Sequence, residues 1–172
     1  MATYLFSFNP VYWNWPEIAG DIRKLARRGH FDTDWSCGRH RNIDPGSRAF
    51  LVRVGVPPKG IFGSGVTLIP PKARPHWVEE KAAAGITSNY TTLRLEHLFP
   101  LPLITFDELM EPPFRRFRWG VRSSGTYLPE TIADALEVMW EKRVGGTPAA
   151  PAAQAGAMSK AKRRRSGATG SG

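Results

Sequence analysis

Tyr12-Trp13-Asn14-Trp15 sets three aromatic side chains in one short connection. Two further segments, Trp35-Ser36-Cys37-Gly38 and Trp119-Gly120-Val121-Arg122-Ser123-Ser124-Gly125, each follow a tryptophan with small polar residues and glycine. A flat aromatic wall beside hydroxyls and backbone donors suits a nucleobase, which offers a π-face for stacking and an edge for hydrogen bonding. The candidate pocket is therefore Trp13, Trp15, Trp35, Ser36, Cys37, Gly38, Trp119, Ser123, Ser124 and Gly125. The competing reading of a chain with 6 tryptophans is that they are amphipathic core residues with no ligand.

Cations crowd the same segments. Arg39, Arg41, Arg48 and Lys59 lie near the first two, and Arg115, Arg116, Arg118 and Arg122 surround Trp119. Of these, Arg39, Arg41, Lys59, Arg116, Arg118 and Arg122 are the candidate phosphate contacts at the mouth of a pocket, the other reading being an ordinary solvated face. Catalytic signatures are missing: there is no glycine-rich phosphate loop, no His-Glu-x-x-His, no Cys-x-x-Cys and no nucleophile elbow. No metal or cofactor is expected. The one pair that could act as nucleophile and base is Cys37 with His40, against the plainer reading of a small loop thiol.

Local patterns outline the elements that must hold these residues. Thr3 to Phe8 reads as a buried strand closed by Asn9-Pro10. A helix follows, with Asn14 and Glu17 as a capping pair, Ile18, Ile22, Leu25 and Ala26 on one face, and Gly29 at its end. Asp32 to Trp35 is a short strand, and Arg48 to Val54 and Ile61 to Leu68 form a hairpin about Pro57-Pro58-Lys59-Gly60. Gly63 and Gly65 predict a bulged, curved sheet. Pro70 to Gly85 reads as irregular, Tyr90 to Leu98 as a strand, Thr105 to Glu108 as a capping box, and Phe117 to Tyr127 as a return to the sheet. A last helix starts near Pro129 and packs by Ile132, Leu136, Met139 and Trp140. Together these predict a small α+β domain with a partly closed β-barrel and flanking helices.

Composition bounds the rest. The 172 residues hold 24 Lys+Arg against 15 Asp+Glu, a formal charge of +9. No run approaches the ~18 apolar residues of a membrane-spanning helix, so no membrane role is expected. The opening residues show no secretory signal, and the single cysteine fits a reducing, cytoplasmic setting. Residues 1–144 form the folded unit, whereas 145–172 are rich in Gly, Ala, Pro and Ser and are expected to be disordered. The tail carries Lys160, Lys162, Arg163, Arg164 and Arg165; without those five charges the rest is 19 against 15, about +4. It serves either as a solubilising linker or as a salt-sensitive phosphate clamp through Lys162, Arg163, Arg164 and Arg165.

Several of these segments, taken in order, resemble the EVE domain, a PUA-like fold related to YTH and ASCH domains. The resemblance rests on Phe8-Asn9-Pro10 with Trp13, on Trp35-Ser36-Cys37-Gly38, on Asp44-Pro45-Gly46-Ser47-Arg48-Ala49-Phe50-Leu51, on Gly60-Ile61-Phe62-Gly63-Ser64-Gly65, and on Trp119 through Ser123-Ser124-Gly125. It covers Tyr4 to about Trp140 and is nearest the EVE domains at the front of HNH-type modification-dependent restriction endonucleases. It implies a PUA-like barrel and a reader rather than an enzyme. The expected partner is DNA carrying a modified base, such as 5-methylcytosine or 5-hydroxymethylcytosine, flipped into an aromatic pocket. Ser47 stands where the family has an acidic residue, and no HNH segment follows, so any cleavage is expected of a nuclease in trans or of a region outside this sequence. Modified single-stranded RNA or tRNA, read as in the related YTH fold, is the alternative ligand, and a protein-interaction scaffold is the alternative class.

Overall fold

The computed structural model describes residues 1–147. Lys162, Arg163, Arg164 and Arg165 lie outside them. The chain runs β1 (Thr3–Phe8), α1 (Ile18–Arg28), β2 (Phe31–Gly38), β3 (Arg48–Arg53), β4 (Gly60–Thr67), β5 (Lys72–Pro75), α2 (Glu79–Ala83), β6 (Thr87–Leu98), β7 (Ile104–Thr105), α3 (Phe106–Leu109), β8 (Thr126–Leu128) and α4 (Glu130–Gly146). All eight strands join one sheet, so the domain is α+β. The main path is β2-β6-β4-β3-β1-β8, with β5 added to β6 and β7 to β4. Only β1 and β3 pair in parallel; the other strand pairs are antiparallel. Among the described residues no helix is long and apolar enough to cross a membrane.

The ladder is not closed into a barrel, since β2 and β8 are its two ends. Even so, the sheet curls. Four ladder steps separate β2 from β1 and would span roughly 19 Å if flat. Yet the Trp35 indole Nε1 on β2 donates to the Ser7 carbonyl on β1 at 3.2 Å. Register shifts between Leu51 and Val52 and between Ser64 and Gly65 supply the bend. At Gly65 the neighbouring strand comes so close that a Cβ would sit 2.0 Å from the Arg94 carbonyl oxygen. A side chain, not a ladder, therefore ties β2 to β1 across the curl.

Alternation of side chains across this curved sheet makes two cores. One face of β1, β3, β4, β6 and β2 gathers Phe6, Phe8, Leu51, Phe62, Leu93 and Trp35, with Ile18, Ile22 and Leu25 of α1 laid against it. The other face gathers Leu5, Phe50, Val52, Ile61 and Ile104, covered by Leu136 and Trp140 of α4 and by Trp119. Arg48 is clamped on this second side by both carboxylate oxygens of Glu137 and by Glu96. It is therefore unavailable for a phosphate.

Local expectations and structure differ in several places; β2 extends beyond Asp32–Trp35 to Phe31–Gly38, and Ala26 of α1 is exposed rather than packed. Asn14 does not cap α1; Glu17 is the N-cap, with no side-chain hydrogen bond, while Gly29 closes the helix at φ 77° as expected. The segment read as irregular contains β5 and α2, which show no buried residue and so no periodic signal. Residues 117–125 are not a strand: Trp119 and Val121 alternate into the core from a loop, and only Thr126–Leu128 joins the ladder. Helix α4 runs through Gly145 and Gly146 into the segment assigned to the tail. The Thr105–Glu108 capping box is present.

Gly65→Ala is expected to lower stability by about 1–3 kcal/mol, because the Arg94 backbone has to move. Urea unfolding measures it; a loss below about half a kcal/mol would contradict the close approach as described.

Candidate nucleobase cleft

A cleft of about 850 Å³ opens beside the seam where β2 meets β1. Its walls come from four places: Ser7 and Phe8 at the end of β1 with Asn9, Tyr12 and Trp13 after it; Asp34, Trp35, Ser36 and Gly38 on β2; His76, Trp77, Ser88 and Tyr90 from β5 to β6; and Gly120 through Ser124. Val54, Gly55, Lys59 and Phe106 complete the rim.

The tryptophans divide by what their indole nitrogens meet. Trp15 donates to the Asp21 carboxylate at 2.9 Å, Trp119 to the Phe114 carbonyl at 3.1 Å, and Trp140 to the Ser64 hydroxyl at 2.9 Å. All three are buried, as is Trp35, whose edge nonetheless reaches the cleft floor. Trp13 and Trp77 are 42% and 48% exposed, and neither indole N–H has a partner among the described residues. A buried Trp N–H needs an internal acceptor; an exposed one is left for solvent or ligand. Trp13 is held upright by stacking on Trp15 at 5.5 Å and by edge contacts to Phe8 and Trp35.

Of the sequence candidates, Trp13, Trp35, Ser36, Gly38, Ser123 and Ser124 therefore share one cleft. Trp15, Cys37, Trp119 and Gly125 do not line it. Trp15 and Trp119 are in the core because their N–H groups and rings find partners there. Gly125, at φ 83°, lies against Cys37, where a Cβ would come within 3.0 Å of the Cys37 Cβ. That contact lets the 120–125 loop settle on the 37–38 corner. Gly38, at φ 58°, faces the Ser123 hydroxyl in the same way, with 3.1 Å to an added Cβ.

Cys37 is fully buried, and its thiol points at the carbonyls of Asn89 and His40, 3.4 and 3.8 Å away. Burial pushes its pKa up to about 11. A protonated thiol facing carbonyls, with no imidazole acting on it, is not set up as the nucleophile of a Cys37–His40 pair.

Hydroxyls form the floor. Ser36 and Ser88 share a 2.8 Å hydrogen bond, and the Gly38 N–H donates to Ser36 at 3.3 Å. Ser124 accepts from the Ser7 N–H at 3.0 Å, leaving its own proton to donate. Asp34 is the acidic residue of the lining; hydrogen bonds from Thr92 and then Arg74, both 2.8 Å, hold its carboxyl below the usual range. Of the cation candidates, Lys59 and Arg122 line the cleft, whereas Arg39, Arg41, Arg116 and Arg118 are exposed outside its lining.

Sequence reasoning missed Asp34, His76, Trp77, Ser88 and Tyr90. For His76 and Trp77 the available signal was Lys72-Ala73-Arg74-Pro75-His76-Trp77, in which two cations run directly into two aromatic rings.

Iodoacetamide at about pH 8 is expected to leave Cys37 unlabelled in the native chain and to label it fully in denaturant, because the native thiol is protonated and enclosed. Native labelling at the denatured rate would overturn this placement of Cys37.

No family model matches the sequence, and no curated protein matches it. Solved structures similar in fold include three from two pseudomonads and a protozoan. A protein of Pseudomonas syringae shares 18% identity at a TM-score of 0.56, over 80% of this chain and 99% of that one. A hypothetical protein of Leishmania major shares 12% at 0.58, over 84% and 97%. A protein of Pseudomonas putida shares 19% at 0.52, over 83% and 99%. At these identities the likeness establishes a common sheet-rich fold spanning nearly the whole of each neighbour.

Proposed function

We propose that this chain is an EVE-like, PUA-related reader that takes a modified cytosine of DNA, such as 5-methylcytosine or 5-hydroxymethylcytosine, into the cleft. The observation that carries the reading is the pairing of half-exposed Trp13 and Trp77 at one cleft that has hydroxyls on its floor and Lys59 and Arg122 in its lining. Two half-exposed indoles at one cleft offer stacking surface to a ligand, and a base presents two π-faces at once. Asp34 matches the exocyclic amine of cytosine, because a carboxylate only accepts. The serine floor gives both donors and acceptors to the remaining edge.

Magnitudes decide how such a site discriminates. Flipping a base out of a duplex costs a few kcal/mol, which stacking at about 1–3 kcal/mol per base offsets. Burying one extra methyl contributes only ~0.8 kcal/mol. Selectivity for a modification therefore requires shape or hydrogen bonding at the floor in addition to burial. Lys59, Arg122 and the cations of the 160–165 segment add a sequence-independent phosphate term that falls steeply with salt.

Anisotropy titration of the full chain against matched duplexes bearing cytosine, 5-methylcytosine, 5-hydroxymethylcytosine or N6-methyladenine, at two salt concentrations, tests the proposal. A preference for one modified cytosine is expected. Trp13→Ala should reduce that preferred binding by about 1–3 kcal/mol. Arg122→Ala should weaken all duplexes alike and lower the salt slope by about 1. Equal, steeply salt-dependent binding to every duplex that disappears when Arg163, Arg164 and Arg165 become alanine would remove the base-reader claim. Selective binding to methylated single-stranded RNA would move it to RNA.

A further inference from the structure

Between β5 and β6, residues 76–86 form a loop closed at its base by the His76 N–H donating to the Ile86 carbonyl at 3.0 Å. His76 and Trp77 stand at the cleft, their rings stacked at 5.4 Å and 25°. The imidazole is oriented by its own backbone: Nδ1 accepts the Val78 N–H at 3.0 Å. An imidazole nitrogen that accepts carries no proton, so in the neutral ring the proton is on Nε2. Burial and then the nearby Lys81 ammonium lower the His76 pKa, favouring that neutral ring. Among the described residues no group is hydrogen-bonded to Nε2.

We infer that His76 is a specificity-determining residue of the cleft, presenting a fixed Nε2–H donor to an acceptor atom, a carbonyl oxygen or ring nitrogen, on the heterocycle held beside Trp77. This rests on the base-reader proposal above. Two features make His76 more than a lining residue. The Val78 bond fixes which nitrogen donates, and the Trp77 stack fixes the plane of the ring, so little is lost in ordering it on binding. Its donor also complements Asp34, the acidic acceptor in the lining. A base with an amine and a carbonyl or ring nitrogen on one edge, as cytosine has, meets one partner of each sign.

Two substitutions separate the roles of the two ring nitrogens. In His76→Asn the side-chain oxygen can still accept the Val78 N–H as an Asx turn, but the Nε2 donor is gone. In His76→Gln the amide restores a donor near Nε2 and gives up the Val78 bond. The first measurement is long-range 1H–15N NMR of the histidines in the full chain at about pH 7.5, where His76 should show the Nε2–H tautomer. A protonated Nδ1, or an imidazolium, overturns the inference without any ligand present. The second is binding of a single-stranded oligonucleotide with one central 5-methylcytosine, repeated with 5-methylcytidine nucleoside, which has no phosphate. His76→Asn should weaken both by about fivefold, the worth of one neutral hydrogen bond, and His76→Gln by less. Weakening of the oligonucleotide alone assigns His76 to phosphate and overturns the heterocycle contact. Binding by His76→Asn within about twofold of wild type, or a greater loss in His76→Gln, overturns the donor role and leaves the base reader standing. If the wild-type chain binds neither probe while the tautomer is as stated, the base-reader proposal falls and this assignment falls with it.

Discussion

Strand β1 runs past the end of β8, and the polar backbone left uncovered there organises the cleft. The β8 ladder reaches Leu5, whose carbonyl takes the Gly125 N–H. Two residues on, Ser7 points its N–H and C=O to the same side with no strand to meet them. Buried backbone groups must be paired. Ser124 accepts from the N–H, and Trp35 donates to the carbonyl. Each partner comes from a different wall, so pairing one residue's backbone ties β2, β1 and the 120–125 loop together. The bulges curve the sheet, and that pairing fixes how β2 sits against β1, where Trp35 lies and how the serine loop is seated. Gly38 and Gly125 permit the loop to approach closely enough to make it.

Aromatic side chains serve two purposes, separated by their polar atoms. Trp15, Trp35, Trp119 and Trp140 use the indole N–H as an internal tie, to a carboxylate, two carbonyls and a hydroxyl. They bury large rings without leaving a donor unpaired. Trp13 and Trp77 keep face and N–H accessible: Trp13 is backed by Trp15, and Trp77 carries His76 on part of one face, where a base stacked beside the imidazole lies in its plane. Such backing preorganises a stacking surface and reduces the entropy lost when a ligand arrives. The cleft joins these accessible rings to groups whose bonds are directed by their own neighbours: Asp34 by Thr92 and Arg74, Ser36 by Ser88, His76 by Val78.

How much of this was legible depended on whether the signal was local. Strand β1, the Gly29 end of α1, the β3–β4 hairpin and the Thr105–Glu108 box follow from short-range patterns, and they stand where those patterns predict. The 117–127 stretch misled because Phe117, Trp119 and Val121 have strand periodicity, while burial came from α4 and the opposite sheet face rather than from a ladder. Tryptophan fate was illegible for the same reason. Trp15 and Trp119 sit in pocket-like sequence contexts, but Asp21 and the Phe114 carbonyl draw them inward. Trp77 sits in a proline-rich stretch with no apolar period, and only the pairing of β5 on β6 carries it to the cleft. The cleft thus takes in the β2 corner and the serine loop that the sequence pointed to, together with the His76–Trp77 loop that it did not.

The central claim is that the base lies between Trp13 and Trp77 above the Trp35 floor. Photocrosslinking tests it most directly: the full chain is irradiated with an oligonucleotide carrying a single 5-iodocytosine, and the attached peptide is identified by mass spectrometry. Adducts at Trp13, Trp35 or Trp77, competed away by the same oligonucleotide bearing 5-methylcytosine, are the predicted result. Adducts confined to the exposed cations Arg39, Arg41, Arg116 and Arg118 or to the 160–165 segment, and unaffected by that competitor, would contradict it.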